Sequence, residues 1–157
     1  MADDKTGNMI KIRKAKSSDS VHIVELQLQM AQETEGLELD RDVVTEGVRG
    51  VFQEPARGTY WVAEEKGKVL GVLLAIPEWS DWRNATVLWI HSLYVIPEAR
   101  GQGVFKKLYL NLEKQVKQSP ELAGIRLYVD KRNKLAQEVY EKLGMSKEHY
   151  DLYEWLK

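Results

Sequence analysis

Cysteine is absent from this chain, which removes disulfides, thiolate metal sites and an acyl-cysteine intermediate from consideration. Its three histidines, His22, His91 and His149, are scattered, an arrangement that argues against a zinc site or any other bound metal. An excess of one charge is lacking too. The 23 lysines and arginines against 24 aspartates and glutamates leave a net charge of -1, and the basic residues are dispersed, so the footprint of a nucleic-acid-binding protein is missing. No apolar run approaches the ~20 residues that span a bilayer; the longest is Val69 to Ile76. Residues 1–8 are polar and acidic where a secretory leader is basic and then apolar. The expectations are a disordered first eight residues and a cytoplasmic protein that meets neither membrane nor nucleic acid. Internal repeats and low-complexity tracts are also absent.

What is present suits one domain spanning 1–157: 43% of the residues are hydrophobic, and no linker interrupts them. Met9 to Lys14 alternates as a first strand. Ser18, Asp19 or Ser20 can cap a helix with Val21, Val24, Leu28 and Ala31 on one face, and a second helix runs through Val44, Val48 and Phe52 until Glu54-Pro55. Gly58 to Glu65, a Lys66-Gly67-Lys68 turn, and Val69 to Ile76 read as a hairpin. Trp79 to Asn84 reads as a loop and Thr86 to Val95 as a fourth strand. A helix over 104–116, a strand from Gly124 to Asp130, a helix closed by Gly144 and a last strand from Tyr150 to Trp155 complete the order β-α-α-β-β-β-α-β-α-β. That order predicts an α/β fold with a mixed, mostly antiparallel sheet flanked by helices on both faces.

The stretch from Ser92 to Tyr109 carries the most chemistry. It passes from an extended segment through Pro97 into Arg100-Gly-Gln-Gly103, then into a helix whose first N–H groups lack partners within the helix. Such an end binds anions. Gly101 and Gly103 remove side chains that would keep a diphosphate from the backbone amides, and Arg100 adds a positive charge. A triphosphate P-loop needs Gly-Lys-Ser/Thr where Val104-Phe105 follows Gly103, and a dinucleotide fingerprint needs a third glycine where Lys106 stands. The ligand implied is a different pyrophosphate.

Strand, Leu-x-Val-x-Pro, then Arg100-x-x-Gly103 resembles the acetyl-CoA signature of the GNAT N-acetyltransferases, R/Q-x-x-G-x-G/A, with Phe105 departing at the last position. Asn133, Ala136, Tyr140 and Gly144 are similar to that superfamily's second signature, N-x-x-A-x-x-x-Y-x-x-x-G. The resemblance covers nearly the whole chain. It implies acetyl-CoA as acetyl donor, held by Leu93, Val95, Arg100, Gly101, Gln102, Gly103, Val104, Phe105, Asn133 and Tyr140. It implies a fourth strand splayed from the fifth, with the Leu93 N–H facing the oxyanion. Tyr140 matches the tyrosine that protonates the departing thiolate, which a phenol of pKa ~10 can do for a thiol of ~8.5; the other reading makes it a core contact. His91 is the candidate base, the alternatives being a buried, satisfied side chain or a water chain.

The acceptor implied is a small cationic primary amine, acetylated by direct transfer in a ternary complex. Glu33, Glu35, Glu38 and Asp40 gather at the junction of the first two helices, which in this superfamily borders the acceptor cleft, and Glu33, Glu35 and Trp82 are the candidate substrate contacts. The bland reading of these acids is a solvated helix end. Trp79 and Trp82 line either the acceptor pocket or a homodimer interface. Residues 35–55 and 82–94 look similar to the spermidine/spermine and thialysine acetyltransferase branch. Two other readings stay open: a non-catalytic acyl-CoA-binding module, and an acetyltransferase of protein amines.

Overall fold

A computed structural model describes residues 9–157; the disorder expected of 1–8 lies outside the described residues. They fall into two compact units, the first ending at Leu127 and the second comprising Tyr128–Lys157.

The first unit is built on a five-stranded sheet in the order β1-β2-β3-β4-β5. β1 (Lys11–Lys14), β2 (Thr59–Glu65), β3 (Lys68–Ser80) and β4 (Ala85–Val95) pair antiparallel, and β5 (Leu122–Leu127) is parallel to β4. α1 (Ser20–Glu35) and α2 (Arg41–Gln53) join β1 to β2, and α3 (Val104–Gln118) is the crossover between β4 and β5. This is the mixed, mostly antiparallel sheet with flanking helices that the sequence predicts. Lys66 and Gly67, at φ 50° and 80°, form the two-residue turn between β2 and β3, a geometry whose twist matches the flanking strands. β3 reaches Ser80 rather than Ile76. Past Ala75, opposite Thr59 at the start of β2, β3 pairs only with β4, so Pro77 is tolerated as it is on an edge strand.

Side chains alternate across a sheet, and the helix contacts show which helix covers which face. Gln27 of α1 reaches Ser92 and Glu33 of α1 reaches Tyr94. Their face also carries Val72 and Leu74 by register. Gly71 lies against Val104 and Leu108 of α3 on the opposite face. Ile23, Val62 and Val72 are fully buried on the first side, and Leu73, Val104, Leu108 and Leu112 on the second. Each such side chain contributes about 1.5–3 kcal/mol relative to exposure, so packing on both faces, more than helix propensity, holds the helices in place. Gly71 sets how closely α3 approaches: a Cβ there would stand 2.9 Å from the Tyr94 carbonyl oxygen and 3.3 Å from a Val104 methyl.

Two expectations are corrected. Asp19 makes no capping bond to α1; its carboxylate accepts from both terminal nitrogens of Arg13, at 2.8 and 2.9 Å, and from the Lys16 N–H at 2.7 Å, tying β1 to the helix entry. Residues 150–155 form no strand, and α4 (Lys134–Lys142) is the last regular element among the described residues. β propensity expresses itself only in a ladder with a neighbour, and Leu152, Tyr153 and Trp155 are exposed instead.

In the second unit, Asn133 caps α4, its Oδ1 accepting the Ala136 N–H at 3.0 Å. The helix closes at Gly144, in the left-handed region at φ 89°. Met145 donates to the Tyr140 carbonyl and Gly144 to that of Glu141, both at 3.0 Å, the paired bonds of a Schellman closure. Gln137 is buried and binds the carbonyls of Asp130 and Lys131. That contact holds 130–131 as a loop where the sequence suggested a strand continuing to Asp130.

Candidate active site

Beyond Val95 the chain makes a short 3-10 turn at Pro97–Ala99 and enters the glycine turn. Gly101 and Gly103 sit at φ 77° and 76°, conformations that side chains other than glycine's rarely adopt, and open space lies where their Cβ atoms would be. Gly103 is the N-cap of α3 and, as glycine, makes no side-chain cap to the helix. Amides at the positive end of a helix, next to two glycines, fit a diphosphate. Gln102 turns its side chain back to the Glu98 carbonyl at 3.2 Å, Val104 buries its side chain in the core, and Phe105 is half-buried. Gln102 and Val104 therefore offer the turn their backbone.

β4 prepares the second part of the site. Ser92 stands opposite Leu74 and Ile90 opposite Ala75, so His91 has no opposing residue on β3: it is a β-bulge, and it is exposed. Burial, one of the alternatives weighed for His91, is thereby excluded. The β5 ladder stops at the same place, with Leu127 opposite Ile90. The Ile96 N–H donates to the Leu70 carbonyl at 2.9 Å. By the alternation of antiparallel ladders, Tyr94 and Ser92 then bond to β3, while Leu93 and Val95 turn their backbone groups toward the β5 side, beyond the end of that strand. The parallel ladder with β5 thus ends before residues 91–95 of β4, and the Val95 carbonyl there accepts the Arg100 Nε at 3.0 Å.

Arg100 does more than the sequence suggests. It forms an ion pair with Glu33 Oε1 at 2.7 Å, and its guanidinium lies 5.5 Å from the Tyr94 ring centroid. The Tyr94 hydroxyl donates to Glu33 Oε2 at 2.7 Å. Arg100 first, and Tyr94 second, hold the Glu33 carboxyl below the usual carboxylate range. Burial, reinforced by Glu33, pushes the Tyr94 phenol up. A carboxylate expected at the acceptor cleft and an arginine expected at the phosphates thus come together as one cluster. Sequence reasoning missed Tyr94 as its third member, and it missed the separate pair of Gln27 and Ser92 on the same face of the sheet; nothing in a helical glutamine or a strand serine announces a 3.2 Å contact between them.

The remaining candidates are not all gathered here. Asp40 caps α2, accepting from the Asp42 and Val43 N–H groups, so its role is structural. Glu35 is the last residue of α1 and exposed. Trp82, 90% exposed, sits in the tip joining β3 to β4; at about 3.3 Å per residue it is some 25 Å along β4 from Leu93, and the structure does not bring the two together. In the second unit the Asn133 oxygen is engaged as the α4 cap, and Tyr140 is half-buried. Among the described residues no group of three metal-ligating side chains occurs, and no helix is long and apolar enough to cross a membrane.

A glycine turn that fits a diphosphate follows a bulged strand, the arrangement that the resemblance to the GNAT N-acetyltransferases implies. Residues 23–145 match the acetyltransferase (GNAT) family. The chain belongs to that family, and as a member it is an acetyl-CoA-dependent N-acetyltransferase. It is similar to the crystal structure of a possible acetyltransferase from Clostridium difficile 630, with 38% identity over 95% of this chain and 98% of that one, at a TM-score of 0.90. It shares its fold with an aminoglycoside N-acetyltransferase in complex with CoA, with 16% identity, 96% and 97% of the chains covered and a TM-score of 0.78. A ribosomal-protein-alanine N-acetyltransferase from Brucella melitensis biovar Abortus 2308 has the same fold, with 14% identity, 94% and 100% coverage and a TM-score of 0.75. No curated protein matches the chain.

Proposed function

We propose that this enzyme acetylates the primary amine of a small cationic compound by direct transfer within a ternary complex. The observation that carries the acceptor class is the Glu33 carboxylate, held on the hydroxyl of Tyr94, the residue next to Leu93, with the exposed Glu35 at the same helix end. The likeness of 35–55 and 82–94 to the spermidine/spermine and thialysine branch supports the same class.

Each residue then has a role. The backbone amides from Gly101 to Phe105 receive the pyrophosphate, and the groups of Leu93 and Val95 facing the β5 side receive the pantetheine arm, with Asn133 a further coenzyme contact. When bound, acetyl-CoA supplies a thioester whose carbonyl carbon bonds to the amine nitrogen as the carbon–sulfur bond breaks. The Leu93 N–H stabilises the charge that develops on the carbonyl oxygen; a positioned donor of this kind is worth about 3–4 kcal/mol. His91, exposed on the bulge, takes the amine proton directly or through water, and Tyr140 gives its proton to the departing thiolate. Trp82, remote from Leu93, contributes with Trp79, also exposed, to a homodimer interface rather than to acceptor binding within one chain; sedimentation of the wild type and a Trp79→Ala/Trp82→Ala variant tests this. The enzyme works in the cytoplasm.

The test is release of free thiol from acetyl-CoA across a panel of amines. Diamines and lysine-like compounds are expected to outpace neutral-tailed monoamines, most clearly at low salt. Equal rates across the panel would refute the cationic acceptor.

A further inference from the structure

Arg100 stands between two anionic demands. It immediately precedes the glycine turn whose amides fit a pyrophosphate, yet its guanidinium is engaged elsewhere, with Nε on the Val95 carbonyl and a terminal nitrogen 2.7 Å from Glu33 Oε1. The pair is half open to water, the side chains being 45% and 41% exposed, so it is held weakly and is displaceable. Glu33 has a second anchor that does not depend on Arg100: its other oxygen accepts the Tyr94 hydroxyl at 2.7 Å. A carboxylate that loses its arginine would therefore stay in place and keep its charge uncompensated.

We infer that the coenzyme's pyrophosphate competes with Glu33 for Arg100, so that donor binding releases the Glu33 carboxylate to the cationic acceptor and the two substrates bind with positive coupling. This deepens the acceptor assignment above and rests on it. Five N–H donors in a rigid fork suit Arg100 to exchanging one oxyanion for another. Two negative phosphates on the adjoining amides outweigh one half-solvated carboxylate, and a cationic amine on Glu33 in turn weakens its hold on Arg100. Linkage requires the effect to be reciprocal: the factor by which coenzyme tightens amine binding is the factor by which amine tightens coenzyme binding.

Calorimetric titration of the full chain with coenzyme A, with and without 1,4-diaminobutane, tests this in the wild type and in Glu33→Gln. Glu33→Gln removes the competing charge, so coenzyme A alone should bind about two- to fivefold more tightly than to the wild type, with the gap narrowing as salt rises. A merely structural role for Glu33 would weaken coenzyme binding or leave it unchanged. In the wild type, saturating diamine should tighten coenzyme A binding, and in Glu33→Gln that effect should vanish. Equal coenzyme affinity for the two proteins, or a diamine effect that persists in Glu33→Gln, overturns the inference and leaves the acetyltransferase assignment intact. A wild type that binds coenzyme A but shows no response to the diamine overturns the coupling together with the cationic-acceptor reading.

Discussion

Gly71→Ala tests whether the approach of α3 to the sheet sets both stability and the shape of the phosphate turn. The added methyl carbon would stand 2.9 Å from the Tyr94 carbonyl oxygen, 3.3 Å from Val104 Cγ1 and 3.4 Å from Leu108 Cδ1, whereas carbon pairs are most stable at about 3.5–4.0 Å. The oxygen belongs to the backbone of β4 and Val104 is itself buried, so no flexible side chain end can give way; β3 and β4 must shear or α3 must lift. Overpacking of this kind costs about 1–3 kcal/mol. At about 2–4 °C per kcal/mol for a chain of this size, a 2 kcal/mol loss lowers Tm by about 4–8 °C. Val104 directly follows Gly103, so a lift of the helix also moves the amides meant for the pyrophosphate, and coenzyme A should bind more weakly. Gly124→Ala on β5 is the control. Nothing lies within 4 Å of the methyl it adds, and its effect should be neutral or stabilising by up to about 1 kcal/mol. Thermal melts and coenzyme titrations of both variants suffice. A Gly71→Ala protein that melts no lower than the Gly124→Ala protein would refute the packing argument.

Two further variants examine the proton donor and the part-buried ion pair of Arg13 and Asp19. Tyr140→Phe keeps the ring but removes the proton assigned to the departing thiolate, so the single-turnover rate should fall ~10²–10⁴-fold with little change in coenzyme affinity; a variant that keeps most of its rate would make Tyr140 a packing residue. Asp19→Asn breaks the contact with Arg13, whose Nε still donates to Glu64 at 2.7 Å, and should cost about 1.5–3 kcal/mol near neutral pH. Because hydrogen bonds from Arg13, the largest cause, and from Lys16 lower the Asp19 pKa in the folded protein, its contribution is present above the unfolded value of about 3.9 and is lost as pH falls through the folded one. The melting difference from the wild type should therefore shrink progressively as pH falls below about 3.9, and a difference that stays undiminished through strong acid would assign the effect to shape rather than charge.

Much of the architecture was legible because it follows from local rules. Alternation marked β1, the Lys66-Gly67-Lys68 turn marked the hairpin of β2 and β3, and Glu54-Pro55 marked the end of α2. The misses are places where a partner decides. Asp19 has the residue type of a helix cap but pairs with Arg13, and only the fold brings β1 to it. Tyr150 to Trp155 has the composition of a strand but is not one, because composition alone does not supply the ladder that a strand needs. β3 outran its apolar run because β4 pairs with it through Pro77 and Glu78 to Ser80, an outcome that side-chain hydrophobicity does not encode.

The site divides along the same line. Positive φ at Gly101 and Gly103 is a backbone property that a glycine reports directly, so the turn could be read from its letters. The direction of the Arg100 side chain could not: the motif fixes where its Cα stands, but Glu33, 67 residues earlier in the chain, decides where its guanidinium goes. Read separately, Arg100 belonged to the donor and Glu33 to the acceptor. The 2.7 Å contact between them makes each a condition on the other. Any substitution at one is therefore a perturbation of both half-sites, and kinetic effects of Arg100 variants on the amine KM should be measured before they are attributed to the phosphates alone.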